Sequence, residues 1–253
     1  MSDIVLARRW SPAQEGPCAL WVDSYVKRGL YTDVAQTTPV VNSGDTISAI
    51  QDVGIVGNTA TQGTASLRGT YTPVALNSRP AVTLDGVDDF FQTPSILASS
   101  GTIYVVWKPI SIPTTFASPI SQKVGSASNT VGGMICVYNF ISGRYTVMSS
   151  NATDWSAVFN AGDTANGTAT LWSWSWGTTL GSVDFRKDRS AGTLFSSSGK
   201  FVQPTSNPFF FGCGYSTTKG SLAIGEAMLF TTQHSLTKRQ RIEAYLSRKW
   251  GTP

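Results

Sequence analysis

Short runs of β-branched and aromatic residues recur along this chain roughly every 8–12 residues, and turn-forming residues separate them. The clearest run is Thr102 to Lys108, TIYVVWK, which stops at Pro109, a residue that cannot donate to a sheet ladder. Similar runs lie at Met134 to Tyr138, Tyr145 to Met148, Ala169 to Trp176, Ser182 to Arg186, Pro208 to Gly212 and Leu222 to Phe230. Asn42 to Asp45, Gly57-Asn58 and Asp85-Gly86 supply turn chemistry between such runs. Ala81 to Leu84 and Phe90 to Gln92 flank the turn 85–89 and read as a hairpin. No helical period intervenes, so the pattern predicts an antiparallel sandwich or barrel rather than a parallel sheet. Only 13% of the residues are charged while 24 are glycine and 12 proline, which excludes a coiled coil, a collagen and a disordered tail.

The 253 residues show no internal repeat and no shift of composition, so one domain is expected over 19–253, preceded by an arm over 1–18. Arg8, Arg9 and Trp10 belong to that arm, which reads either as a chain end packed on the domain or as an assembly arm for a neighbouring subunit. The exception to the strand pattern is the C-terminal segment, where Ile242, Tyr245, Leu246 and Trp250 fall on one helical face. Thr237 with Gln240 fits a capping box and Gly251 a left-handed stop, predicting a helix over 238–250 that packs on the sheet.

The net charge of +4 is mild and implies neither nucleic acid nor lipid as partner. No apolar run approaches the roughly 20 residues that span a bilayer. The first residues lack the apolar core of a secretory signal, so any role outside a cell is expected to be reached by release or inside an assembly. Cys18, Cys136 and Cys213 are widely spaced and odd in number, which favours buried, reduced thiols over a zinc cage or a disulfide framework.

Four segments together point to a family. Ala19 to Asp23 (ALWVD), Asp45 to Asp52 with Asn58 to Gln62 and Arg68, Arg79 to Phe90 (RPAVTLDGVDDF), and Ile224 to Phe230 with Leu236 to Gly251 stand in this order over nearly the whole chain. They resemble the laminin-G-like, concanavalin A-like jelly-roll domains of bacterial and phage proteins. The resemblance implies an all-β antiparallel jelly-roll sandwich closed by one C-terminal amphipathic helix.

Enzymes on that fold include glucanases that place two carboxylates about a sugar bond through Glu-x-Asp-x-Glu. Here the only glutamates are Glu15, Glu226 and Glu243, none in such a motif, and the resemblance makes Glu226 structural. His234 is the sole histidine and reads as a solvated turn residue, with no Gly-x-Ser-x-Gly elbow to serve. Lys238 to Arg241 (KRQR) reads as a solvated basic helix face. The expectation is therefore a chain that is not an enzyme.

Two binding features remain. Asp85, Asp88 and Asp89 gather three carboxylates in one turn, chemistry that suits calcium, which relatives in the resembled family often bind, although turn chemistry alone accounts for them too. Trp172, Trp174 and Trp176 alternate with serine, so a strand carries all three indoles on one face, as core or as a platform for sugar rings. Trp155, Trp107 and Tyr215 carry the same ambiguity more weakly. With the resemblance, the expected role is a non-enzymatic structural component of a tailed-phage virion, in head decoration or in the tail and baseplate, with glycan adhesion as an added property. Its partners would be other virion proteins, further copies of itself and a surface glycan. The alternative is a carbohydrate-binding module acting at a cell surface.

Overall fold

In the computed structural model the turn-separated runs form two antiparallel sheets; the model describes residues 10–54, 56–96, 99–111, 118–122, 133–141, 144–150, 155–162, 167–177, 183–191, 193–194, 208–213 and 219–253. In chain order the strands are β1 (Cys18–Asp23), β2 (Leu30–Tyr31), β3 (Ala49–Ile50), β4 (Ala60–Thr61), β5 (Thr70–Leu76) and β6 (Arg79–Asp85). Then come β7 (Phe91–Ser95), β8 (Gly101–Pro109), β9 (Ile120–Ser121), β10 (Gly133–Ile141), β11 (Arg144–Ser150) and β12 (Trp155–Gly162). β13 (Thr170–Trp176), β14 (Asp184–Lys187), β15 (Ser190–Ala191), β16 (Thr193–Leu194), β17 (Pro208–Phe211) and β18 (Ser221–Phe230) precede the helix α1 (Leu236–Trp250). One sheet runs β15-β14-β13-β8-β18-β6-β5, with β1 also paired to β18; the other runs β16-β12-β11-β10-β9-β17-β7-β4-β3-β2. The expected antiparallel sandwich with one C-terminal helix is what forms.

The pleat explains the two faces of each sheet. From the larger sheet, Leu30, Ile50, Ala60, Phe91, Phe211 and Ile120 point inward. They meet Ile103, Val105, Trp107, Leu222, Ile224 and Leu229 of the smaller sheet, together with the indoles of β13. The opposite face of the smaller sheet is also covered: Tyr104, Val106, Leu171, Ala223 and Met228 lie beneath Ile242, Leu246 and Trp250 of α1. Burial on both faces is why β8 reads as a continuous apolar run and not as an alternation. Each of the three large helix side chains contributes roughly 1.5–3 kcal/mol by leaving water.

Five expectations are corrected. Trp172, Trp174 and Trp176 are at most 1% exposed and fill the inter-sheet core, so they offer no platform to a sugar. Trp107 shares that core, its ring centroid 4.7 Å from that of Trp172 in an edge-to-face arrangement. The 85–89 turn is not a hairpin: β6 pairs with β5 and β18, whereas β7 pairs with β17 and β4 in the other sheet, so the turn carries the chain across the sandwich. The helix starts two residues early, because Ser235 rather than Thr237 is the cap and accepts the Lys238 N–H. His234 is buried, with Nδ1 2.9 Å from the Tyr104 hydroxyl, and burial, then the Lys238 charge, push it down to about 4.

The basic run on α1 is the fifth. Arg239 is 1% exposed and reaches Asp184 and the Ser173 backbone oxygen, while Lys238 donates to the Glu15 carbonyl and Arg241 to the Glu15 carboxylate. Glu243, from the same buried stripe, accepts from Ser173 Oγ and is paired with Arg186 at 3.0 Å. The serines that alternate with the indoles therefore lie on the helix side of β13, and Ser173 is the one that holds α1 down. Cys18 and Cys213 are buried and unbridged, and burial pushes the Cys18 thiol up to about 12. The Cys136 and Trp155 side chains, and Tyr215 altogether, lie outside the described residues.

Candidate functional site

The residues singled out by sequence end up in different places. Arg8 and Arg9 lie outside the described residues. Trp10 lies against its own domain: its indole N–H donates to Glu15 at 2.7 Å and its ring meets Tyr245 edge-on at 6.0 Å. The Glu15 carboxylate is held below its ordinary range, because Trp10, Arg241 and Lys238 together outweigh the effect of burial.

Asp85, Asp88 and Asp89 do come together, with one carboxylate oxygen of each inside a 4.8 Å cluster that could hold a cation. Two of the three carboxylates also serve the crossing turn itself. Asp85 Oδ1 accepts the Val87 N–H at 2.8 Å and Asp89 Oδ2 accepts the Asp85 N–H at 3.0 Å. Gly86 sits at φ 84°, where a Cβ would lie 2.6 Å from the Ser221 nitrogen. Burial first, and then the Asp85 and Asp88 charges, push Asp89 up to about 6 despite the backbone hydrogen bond. A carboxyl that binds its proton more tightly when folded favours the fold at acid pH, and that contribution is lost as pH rises through about 6. Asp89→Asn keeps an oxygen for the Asp85 amide and removes the charge. It is expected to melt with the wild type near pH 4 and to be more stable by roughly 1–3 kcal/mol above pH 7, read from thermal melts across that range.

A second acidic pair is buried where the ends of the sequence meet. Asp23 and Glu226 are cross-strand partners on β1 and β18, and both bind Lys249, at 2.5 and 2.7 Å. Glu226 also accepts the Trp21 and Trp250 indole N–H groups at 2.7 and 2.6 Å. Burial, then the Asp23 charge, raise Glu226 to about 7 against the opposing pull of Lys249. Burial draws Lys249 down, and the two carboxylates more than reverse it. Glu226 is 0% exposed, so this pair meets no substrate.

Among the described residues two surface clefts stand out. One, about 430 Å³, lies beside α1 and is lined by Arg186, Asp188, Arg189, Gln240 and Pro253. Two of its charges are engaged, Arg186 with Glu243 and Asp188 with the Leu171 amide and the Thr170 hydroxyl, while Arg189 is exposed on its rim. The other, about 370 Å³, opens on the outer face of the larger sheet between Gln36, Gly57, Thr59, Thr61, Gln92 and Pro94. Both volumes fall in the range of small-molecule sites. Nothing in the sequence reading singled out the second cleft. The outward place of Gln92 between inward Phe91 and Thr93 is legible from alternation, but the meeting of three separate segments is not.

With this geometry in place, the chain can be set against known proteins. No family model matches it, and no characterised protein matches it by sequence. Domain 4 of a GH43 extracellular arabinanase from Geobacillus stearothermophilus, solved in complex with arabinotriose, is similar with a TM-score of 0.61 at 12% identity, over 90% of this chain and 99% of that one. An arabinofuranosidase complexed with arabinofuranosyl-alpha-1,2-xylobiose is similar with a TM-score of 0.64 at 11% identity, over 94% of this chain and 64% of that one. Trypanosoma rangeli sialidase is similar with a TM-score of 0.59 at 10% identity, and the chain spans 32% of its length. These likenesses show the fold.

They also correct one expectation. Arabinanase, arabinofuranosidase and sialidase are all glycoside hydrolases, so the sandwich is one that such enzymes carry. The reading of this chain as a non-enzyme rested on a missing carboxylate motif and a lone histidine, and it does not stand against these neighbours. No helix among the described residues is long and apolar enough to cross a membrane.

Proposed function

We propose that this chain is a carbohydrate-binding domain. The observation that carries the proposal is the likeness to the arabinanase domain 4, which extends over 99% of that domain and which was solved with arabinotriose bound. The laminin-G-like resemblance of the sequence supports the same reading, and so does a cleft of suitable size lined by amides and hydroxyls. A place in a tailed-phage particle is a separate proposal that rests on the sequence resemblance alone. The test is a glycan array followed by thermal melts with the strongest hits. A ligand that binds only the folded chain must raise the melting temperature in a concentration-dependent way. An array without hits, and melts that do not move in millimolar arabinotriose or sialyllactose, would overturn the proposal.

A further inference from the structure

The cleft on the outer face of the larger sheet has a lining that selects a chemical class. Register places Tyr31, Ala49, Thr61, Gln92 and Phe210 in one row across β2, β3, β4, β7 and β17, all on the face opposite the inward row. Ala49 and Phe210 are buried on this face, so the open part of the row is the Thr61–Gln92 pair on β4 and β7. Thr61 and Gln92 are direct partners at its centre, and Gln36 and Thr59 close over them from the neighbouring loops. Among the described residues, none of these four side chains makes a hydrogen bond within the protein, although each both donates and accepts. Four uncommitted amide and hydroxyl groups converging on one hollow match the donor and acceptor character of sugar hydroxyls. No residue lining it is charged, so it provides no counter-charge for a sugar acid.

The walls are fixed by carboxylates that point away from the hollow. Asp52 accepts the Trp21, Gly54, Gly57 and Asn58 amides at 2.8–3.0 Å, which holds Gly57 at φ 81° on the rim. Asp33 accepts the Thr37 and Thr38 amides and sets the bend that presents Gln36. A rim built this way before the ligand arrives lowers the ordering cost of binding. We infer that this cleft binds an uncharged oligosaccharide lying across β4 and β7, with Thr61 and Gln92 contacting its hydroxyls. The inference rests on the carbohydrate-binding reading and names its site and ligand class.

The test is titration calorimetry with arabinotriose, xylotriose, sialyllactose and trigalacturonate against the wild type, Thr61→Ala, Gln92→Ala and, in the charged cleft, Gln240→Ala. All three positions are exposed or half-exposed, and melting temperatures within a degree or two of wild type confirm that the variants fold. The expected result is binding of a neutral trisaccharide, weakened about tenfold by Thr61→Ala and by Gln92→Ala and unchanged by Gln240→Ala. Neutral binding that both cleft variants retain overturns this site and leaves the carbohydrate reading standing. Binding of the acidic sugars alone overturns the ligand class. No binding of any of the four by the wild type overturns the site, and if the array is also blank the carbohydrate reading falls with it.

Discussion

Glu226→Ala is expected to lose about 3–5 kcal/mol of stability, read as a fall in the midpoint of guanidinium unfolding. The side chain is the shared acceptor of two indole N–H groups and one ammonium, and the fully buried Trp250 N–H has no water to turn to once the carboxylate is gone. The two orphaned indole donors and the cavity left behind are the dominant cost, while Lys249 keeps Asp23 as its partner. Glu226→Gln should lose nearly as much, since its amide NH₂ would face the donors that one carboxylate oxygen now serves. The double variant Glu226→Gln with Lys249→Met should then be less stable than Glu226→Gln alone, because it leaves the buried Asp23 carboxylate without its cation. A single variant that melts like the wild type would mean the cluster is not the clasp described.

The second large effect lies in the sandwich core. Trp174→Ala removes a fully buried indole from a row in which Trp172 and Trp176 already limit how far the sheets can close over the gap. A loss of about 3–5 kcal/mol is expected from transfer and cavity together. Trp174→Phe should lose distinctly less: among the described residues the indole N–H has no hydrogen-bond partner, so the phenylalanine gives up only volume. Chemical denaturation of the two variants decides this. Sugar titrations should leave the tryptophan emission of β13 unmoved, since these indoles meet no ligand; protection of that emission would reverse the assignment to the core.

The parts of this fold that were legible in the sequence are those where one physical cause acts on a short stretch. Continuous apolar runs mark β8 and β18, alternation marks β13, and the apolar stripe with Gly251 marks α1. The motif residues shared with the resembled family prove to be fasteners. Trp21 and Asp23 near the start, Glu226 in β18, and Lys249 and Trp250 near the end form one cluster, and Gly225 beside it has no room for a Cβ against the Trp250 ring. Gln62 holds the Phe90 carbonyl, and Arg68 the Gln62 carbonyl. What was not legible depends on tertiary partners. The turn 85–89 has hairpin chemistry, but only the pairing of its flanking strands with different sheets shows that it crosses the sandwich. His234 and Arg239 look like surface residues until Tyr104 and Asp184 appear beside them. The neutral cleft depends on three segments that meet only in the folded chain.

The position of β18 has a consequence for how the protein comes into being. It lies between β8 on one side and β1 and β6 on the other, so the strand at the middle of the smaller sheet is the last one synthesised. Until it leaves the ribosome, β8 with β13 and β5 with β6 wait as separate fragments with open edges. Assembly of the smaller sheet is therefore a late, non-local event, slow by its contact order, and the nascent chain carries an aggregation hazard at those open edges until β18 is made.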